Sequence, residues 1–218
     1  MSELTDEQQV ERLKAWWQEN GRSLLFIIGL GMVGAIGWLQ WQGSQRDNAE
    51  AASALYELAM EAADRNDSIV LGQRVDELTG DYPDSTYTAL AVLRQVAVEL
   101  ANGETELARA KLDALLTSEK GSELEPLIAL RLARVELYLG NAEQALAVLD
   151  KAPAKNFAPF YHEVRGDIYV QLGQAQDARD AYQAALDEPG QPQLVDVNYI
   201  GIKLAQLATT EAVVAETP

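Results

Sequence analysis

The chain has 218 residues, with 34 acidic against 17 basic side chains and therefore a formal net charge of −17 at pH 7. Such a surface repels nucleic acid and anionic lipid headgroups, so we expect no nucleic-acid partner. The sequence contains no cysteine, which excludes a disulfide framework and leaves packing alone to stabilise the fold.

The first predicted element is a short amphipathic helix at 5–19, inside an N-terminal segment at 1–22. Val10, Leu13 and Trp17 are spaced so that they share one face of this helix. Such a helix can lie on the cytoplasmic membrane surface. The alternative is a loosely structured tail.

A long uncharged stretch follows this segment. No ionisable residue lies between Arg22 and Arg46, and every residue from Leu24 to Leu39 is apolar. At about 1.5 Å per residue, a helix of this length crosses the roughly 30 Å hydrocarbon layer of a bilayer. We therefore predict a transmembrane signal-anchor helix at 23–42. A cleaved signal peptide would need a cleavage site after its apolar core, but Trp38-Leu39-Gln40-Trp41 follows and no Ala-x-Ala site lies there. A buried core helix does not fit so long an uncharged run.

The basic residues that flank this span predict its orientation. Arg12, Lys14 and Arg22 precede the span, whereas Arg46 follows it closely and the next basic residue is Arg65. Because basic flanks stay in the cytoplasm, the N-terminus is predicted to be cytoplasmic and the rest of the chain to lie outside it, in a type II arrangement.

Small and aromatic residues inside the span suggest further contacts. Gly31 and Ala35 form a small-xxx-small pair, which allows another membrane helix to approach closely. The alternative is that these residues reflect only the abundance of glycine in membrane helices. Trp38 and Trp41 lie where an interfacial aromatic belt belongs.

The remainder of the chain, at 47–208, has the spacing of repeated helices. Apolar residues recur at intervals of three and four, and turn-forming residues such as Gly140 and Gly173 interrupt them regularly. The segment 132–152 recurs at 165–185, an offset of 33 residues. Both copies follow the tetratricopeptide pattern, in which small residues let paired helices approach and a large residue fills the groove between repeats.

These elements together predict an all-α protein. One N-terminal transmembrane helix is followed by a tetratricopeptide-like α-solenoid of about four helical hairpins and a C-terminal capping helix at 192–208. Residues 209–218 are predicted to form a disordered tail.

The sequence offers no constellation of residues suited to catalysis. His162 is the single histidine, and neither a nucleophile motif nor a phosphate-binding glycine loop is present. Metal ligation would have to use carboxylates, and clusters such as Glu104-Thr105-Glu106 lack the spacing of a calcium loop. We therefore predict no catalytic residue, no metal, no cofactor and no enzymatic activity.

A concave face lined by the first helix of each hairpin is the predicted protein-binding surface. The repeat register assigns to it apolar, aromatic and charged residues, namely Leu90, Leu93, Leu127, Leu130, Arg134, Tyr138, Phe160, Glu163 and Asp167. Two interpretations remain. The face is an open groove for extended apolar segments or a partner helix, or the terminal helix folds back and covers it.

Several short motifs carry a family resemblance over essentially the whole chain. They are Glu19-Asn20-Gly21-Arg22, Ile36-Gly37-Trp38, Leu130-Arg131-Leu132-Ala133-Arg134-Val135, Arg165-Gly166-Asp167 and Gly173-Gln174-Ala175. In their order and spacing the sequence resembles the ancillary subunit family of the bacterial SecYEG translocon (the YfgM type).

The resemblance implies a single-pass protein of the bacterial inner membrane with a periplasmic tetratricopeptide-like domain. The partners it implies are the SecYEG translocon, a membrane-anchored peptidyl-prolyl isomerase-like chaperone and unfolded exported polypeptides. The implied function is to pass exported proteins to the periplasmic chaperone network. Two other functions remain open: a structural adaptor for one membrane partner, and a regulator of a stress response acting through 1–22.

Overall fold

The structure is a computed structural model that describes residues 6–187 and 195–216. Predictions that fall on 1–5, on 188–194 or on 217–218 lie outside the described residues; they include the start of the first amphipathic helix and of the capping helix. Within the described residues the fold consists of helices and one 3-10 turn, so the all-α prediction is confirmed. The elements are α1 (Asp6–Asp64), α2 (Ser68–Asp81), α3 (Thr86–Ala101), α4 (Thr105–Ser118), α5 (Glu125–Tyr138), α6 (Ala142–Lys151), the 3-10 turn (Lys155–Phe157), α7 (Ala158–Gln171), α8 (Ala175–Asp187) and α9 (Val197–Glu216).

The chain divides into two compact units, Met1–Ala54 and Leu55–Pro218. The described part of the first unit is helical throughout, because α1 continues without a break from Asp6. Separate helices were predicted before and across the uncharged stretch, but no proline lies there, and an isolated glycine costs a helix only about 1 kcal/mol. Within the described residues one helical segment, Leu25–Asp64, is long and apolar enough to cross a membrane, and its most apolar stretch is not buried by protein.

The second unit is built from helical hairpins whose turns share one backbone conformation. Gly103, Gly140 and Gly173 follow the first helices of three hairpins, with φ of 82°, 87° and 73°. A side chain at such a φ clashes with its own backbone, which is why glycine occupies these turns. The same turn in the first hairpin carries Asn66, with φ of 60°.

The second helices of the last three hairpins, α4, α6 and α8, bury small and large residues in the predicted register. Ala108, Ala145 and Ala178 are fully buried, and Leu112, Leu149 and Tyr182 lie four residues further along in the core. At the alanine positions a larger side chain would keep the paired helices apart, whereas the large residues fill the space between successive hairpins.

Helices α7 and α8 of the last hairpin approach each other closely at Gly166. A Cβ atom built on Gly166 would lie 2.3 Å from Cε1 of Tyr182. Only glycine therefore fits this position of α7, and the ring of Tyr182 packs directly on the α7 backbone.

The last helix differs in its bounds from the sequence prediction. Helix α9 begins at Val197 and continues to Glu216, past the predicted end at residue 208. No glycine or proline lies between Ile202 and Thr217 to stop it. Ile200 and Leu207 are buried in a cluster with Tyr182, so this helix closes the array on α8.

Candidate protein-binding cleft

An open cleft lies between α3 and α5, on the side of the hairpins formed by their first helices. Its volume is about 570 Å³. We call it the α3–α5 cleft, and its lining residues are Val96, Ala97, Leu100, Gly103, Thr105, Arg131, Arg134, Val135 and Tyr138.

The rim of the α3–α5 cleft is apolar and exposed, whereas its floor is packed. Tyr138 is 81% exposed and Leu100 is 38% exposed, although both are large apolar side chains. Val96 and Val135 are buried and belong to the core between α3 and α5. An exposed apolar rim over a packed floor is typical of a surface that receives a partner side chain.

The charges of the α3–α5 cleft are opposite in sign to those of the whole chain. Arg131 and Arg134 lie three residues apart on α5 and therefore on the same side of that helix. The residues that line the cleft include no Asp or Glu. The cleft therefore combines apolar contact area with two guanidinium groups in a strongly acidic protein.

The predicted binding residues on α3 and α5 divide into two groups. Arg134 and Tyr138 line the cleft, and their contact with a partner stays a prediction. Leu93 and Leu130, in contrast, are each only 3% exposed. Their side chains form part of the core between hairpins and cannot contact a partner at the surface.

The two remaining predicted leucines also contribute to packing. Leu90 and Leu127 are half-buried, and Leu127 packs against the cluster between α3 and α5. The helical spacing that predicted this face did not separate its buried edge from its open edge.

Helix α9 covers the predicted binding residues on α7. Phe160 packs against the cluster that contains Ile200 and Leu207. Nζ of Lys203 donates to Glu163 Oε1 at 3.0 Å and lies 2.7 Å from Asp167 Oδ1. The terminal helix therefore covers this end of the predicted surface, while the α3–α5 cleft stays open.

Lys203 is the centre of a half-buried polar cluster between α7, α8 and α9. Tyr182 donates its hydroxyl hydrogen bond to Asp167 at 2.6 Å, and the Lys203 ammonium lies 4.4 Å from the ring centre of Tyr199. Burial lowers the pKa of Lys203, but the hydrogen bonds to Asp167 and Glu163 and the charges of both carboxylates outweigh it and raise that pKa overall. The cluster thus holds a charged lysine in place at neutral pH.

Sequence reasoning missed Arg131 and Lys203. Arg131 lies one turn before Arg134, so an i, i+3 pair of arginines on a predicted first helix was the available signal. Lys203 offered no such signal, because its partners Glu163 and Asp167 lie 40 and 36 residues earlier in the chain.

The predicted helix-contact pair lies in the uncharged stretch of α1. Gly31 and Ala35 are exposed, and a Cβ atom built on Gly31 would meet nothing within 4 Å. No neighbouring helix contacts Gly31 within the first unit, so contact with a second membrane helix stays a prediction.

The described ranges 6–187 and 195–216 contain no group of three or more His, Cys, Asp or Glu side chains placed to hold a metal ion.

Comparison with known proteins agrees with the fold over almost the whole chain. Residues 14–209 match the family model described as a tetratricopeptide repeat-like domain. A tetratricopeptide repeat protein from Parabacteroides merdae has a TM-score of 0.51 at 16% identity, covering 74% of this chain and 59% of that one. The structure titled "MamA RS-1 ArsTM double mutant" also has a TM-score of 0.51 at 16% identity, covering 73% of this chain and 96% of that one. At this identity both structures support the fold alone.

Sequence relatives extend the similarity beyond the fold. A protein of Escherichia coli (strain K12) is 32% identical over 191 residues, which cover 87% of this chain and 91% of the relative. A protein of Haemophilus influenzae is 27% identical, with coverage of 84% and 89%, and one of Neisseria gonorrhoeae is 28% identical, with coverage of 85% and 89%. All three are named "Ancillary SecYEG translocon subunit". Translocon accessory subunits and tetratricopeptide-like folds are non-catalytic kinds of protein.

Proposed function

Because the chain belongs to the tetratricopeptide repeat-like family of ancillary SecYEG translocon subunits, we propose that it is a membrane-anchored, non-enzymatic accessory factor that links exported proteins to the periplasmic chaperone network. The apolar N-terminal helix and the translocon-associated relatives fit an inner-membrane protein. The observation that carries the binding role is the open α3–α5 cleft, whose rim exposes Leu100 and Tyr138.

The proposed topology follows the charge of the flanking segments. Residues 1–22 form the cytoplasmic segment, 23–42 cross the bilayer, and 47–208 form the periplasmic repeat domain. Three basic residues before the span against one close behind it support this orientation. The anchor keeps the repeat domain beside the translocon. The cleft therefore meets a high local concentration of its partners and can bind them even with low affinity.

Two classes of partner are proposed for the repeat domain. One is a membrane-anchored peptidyl-prolyl isomerase-like chaperone, and the other is the unfolded exported polypeptide. An exposed apolar rim suits a polypeptide that has not yet buried its own apolar side chains. If the chain is instead a structural adaptor, one folded partner occupies the same surface permanently.

Site-specific crosslinking in intact membranes tests the proposal. A photo-crosslinking amino acid at Tyr138 places the probe on the cleft, and the same amino acid at Gln144, exposed on α6 outside the cleft, serves as the matched control. We expect the Tyr138 probe to give crosslinks to many translocating chains that disappear when export is blocked, and the Gln144 probe to give few. A single constant crosslink from Tyr138 would favour the adaptor, and equal yields from both probes would contradict binding at this cleft.

A further inference from the structure

We propose that the α3–α5 cleft selects peptide segments in which an Asp or Glu side chain lies close to a large apolar side chain. The inference rests on the proposed function, and it gives the partner of the cleft a definite chemistry. Net charge alone favours a basic or neutral partner for this acidic protein, whereas the local charge of the cleft favours an acidic one.

The positive charge of the cleft is carried by α5. Arg131 and Arg134 both line the cleft, and no Asp or Glu is among its lining residues. Arginine presents a planar set of donors that fits a carboxylate with two parallel hydrogen bonds. A partner carboxylate in the cleft would therefore find matching donors, and the carboxylate recorded beside them, Glu163, lies 3.8 Å from Arg134 Nη2.

Arg131 is available for such a contact. Its guanidinium Nη1 donates to the backbone carbonyl of Leu93 at 3.5 Å, and within the described part of the chain no carboxylate forms an ion pair with it. Arg109 on the neighbouring helix α4 differs, because it is paired with both Glu106 and Glu136. A half-buried arginine bonded to one carbonyl leaves most of its five donors for a ligand.

Arg134 is held only weakly by its own protein. Its Nη2 lies 3.8 Å from Oε2 of Glu163, beyond hydrogen-bond distance, and its side chain is half exposed. Glu163 accepts a hydrogen bond from Lys203 at 3.0 Å. Because no hydrogen bond joins Arg134 to Glu163, the guanidinium donors of Arg134 remain available to a second carboxylate.

The rim of the α3–α5 cleft would contact the large apolar side chain of the recognised peptide segment. Leu100 and Tyr138 are exposed on opposite helices of the same cleft, so one large apolar side chain can contact both. The cleft is partly open to solvent, as the passage of an internal stretch of polypeptide would require. We therefore assign the carboxylate to Asp or Glu side chains within a segment and not to a chain terminus.

Peptide binding to the full-length protein in detergent tests the inference. The probes are fluorescent peptides with blocked ends that carry a Leu-Leu pair flanked by Glu, with otherwise identical peptides carrying Gln or Lys in place of Glu. An amidated Gln peptide and its free-acid form test the terminal carboxylate. Affinity is measured by fluorescence anisotropy at low and at high salt, for the parent and for the Arg131→Gln/Arg134→Gln variant.

We expect the Glu peptide to bind at least about tenfold more tightly than the Gln peptide, because hydrogen bonds between charged groups are stronger than neutral ones. High salt should reduce this preference. The Arg131→Gln/Arg134→Gln variant should lose it while still binding the Gln peptide, and Arg65→Gln, which changes an exposed pair outside the cleft, should retain it.

Equal affinity for the Glu and Gln peptides, or a preference for Lys, would overturn the acidic selectivity and leave the proposed binding function standing. Tighter binding of the free-acid Gln peptide alone would overturn the assignment to internal side chains. If no peptide binds, the selectivity is wrong, and the crosslinking experiment decides separately whether the cleft binds clients.

Discussion

Replacing Gly166 with alanine is expected to lower the free energy of unfolding of the repeat unit by about 3 kcal/mol. The added Cβ atom would lie 2.3 Å from Cε1 and 2.4 Å from Cδ1 of Tyr182, far inside van der Waals contact. Tyr182 is only 2% exposed and its hydroxyl is bonded to Asp167, so the ring cannot turn away without losing that bond. The helices α7 and α8 must therefore separate.

Thermal or urea unfolding of the purified protein measures this loss, and Gly201→Ala is the matched control. A Cβ atom at Gly201 meets nothing within 4 Å, and Gly201 lies inside α9. That substitution should leave stability unchanged or raise it by up to about 1 kcal/mol, because alanine is the better helix former. Adding Tyr182→Leu to Gly166→Ala should cost less than the sum of the two single changes, since it removes the clash. If Gly166→Ala behaves like Gly201→Ala, the packing described for this hairpin is wrong.

Replacing Lys203 with methionine is expected to cost about 3 kcal/mol and to release α9 from α7. The Lys203 side chain is 11% exposed, and its single positive charge is paired with two carboxylates, Glu163 and Asp167. Methionine keeps much of the packing but removes the lysine from both carboxylates, and Glu163 keeps only the more distant Arg134 at 3.8 Å. The loss should lie at the lower end of the range for buried pairs, because the Asp167 side chain is 30% exposed and remains partly hydrated.

Amide hydrogen exchange localises the effect of Lys203→Met. Protection should fall in α9 and the facing part of α7, while α3 and α4 keep theirs. Arg65→Met, which removes an exposed i, i+4 pair with Glu61, should change stability by less than about 0.5 kcal/mol. The variant that also neutralises the partners, with Glu163→Gln and Asp167→Asn, should recover part of the loss. Unchanged exchange in α9 after Lys203→Met would show that the cluster does not hold this helix.

The contribution of Lys203 also has a predicted pH dependence. Its pKa is raised in the folded protein, so the stabilisation is fully present below the ordinary lysine pKa of about 10.5. It is lost as the pH rises through the folded-state pKa. The stability difference between the parent and Lys203→Met should therefore be constant near neutral pH and shrink above about pH 10.5.

The repeat architecture was predictable because its constraints are local. The turns at Gly140 and Gly173 can be recognised in the sequence by their glycines, and the structure places both residues at positive φ. The turn of the first hairpin is less evident in the sequence because Asn66 takes the place of glycine. Asparagine tolerates the same left-handed conformation, but it is a weaker signal of such a turn than glycine.

The candidate site was only partly predictable, since burial depends on how hairpins stack. Leu93 and Leu130 have the same helical spacing as Arg134 and Tyr138, yet the first two are buried and the last two line the cleft. Helical period identifies a face, but the width of the buried part of that face depends on the neighbouring hairpin. The Lys203 cluster was not predictable at all, because it joins residues from distant helices.

We propose that the N-terminal helix presents the repeat unit on the periplasmic side of the inner membrane, and the labelling of single cysteines tests this topology most directly. The sequence has no cysteine, so one introduced thiol is the only position of this chain that a maleimide reagent can label. Asp113→Cys places that thiol at an exposed position of α4, and Glu11→Cys places it before the span. In intact spheroplasts, we expect a membrane-impermeant maleimide to label Asp113→Cys at once and Glu11→Cys only after the membrane is opened. Labelling of Glu11→Cys in intact spheroplasts, with Asp113→Cys protected, would contradict the account.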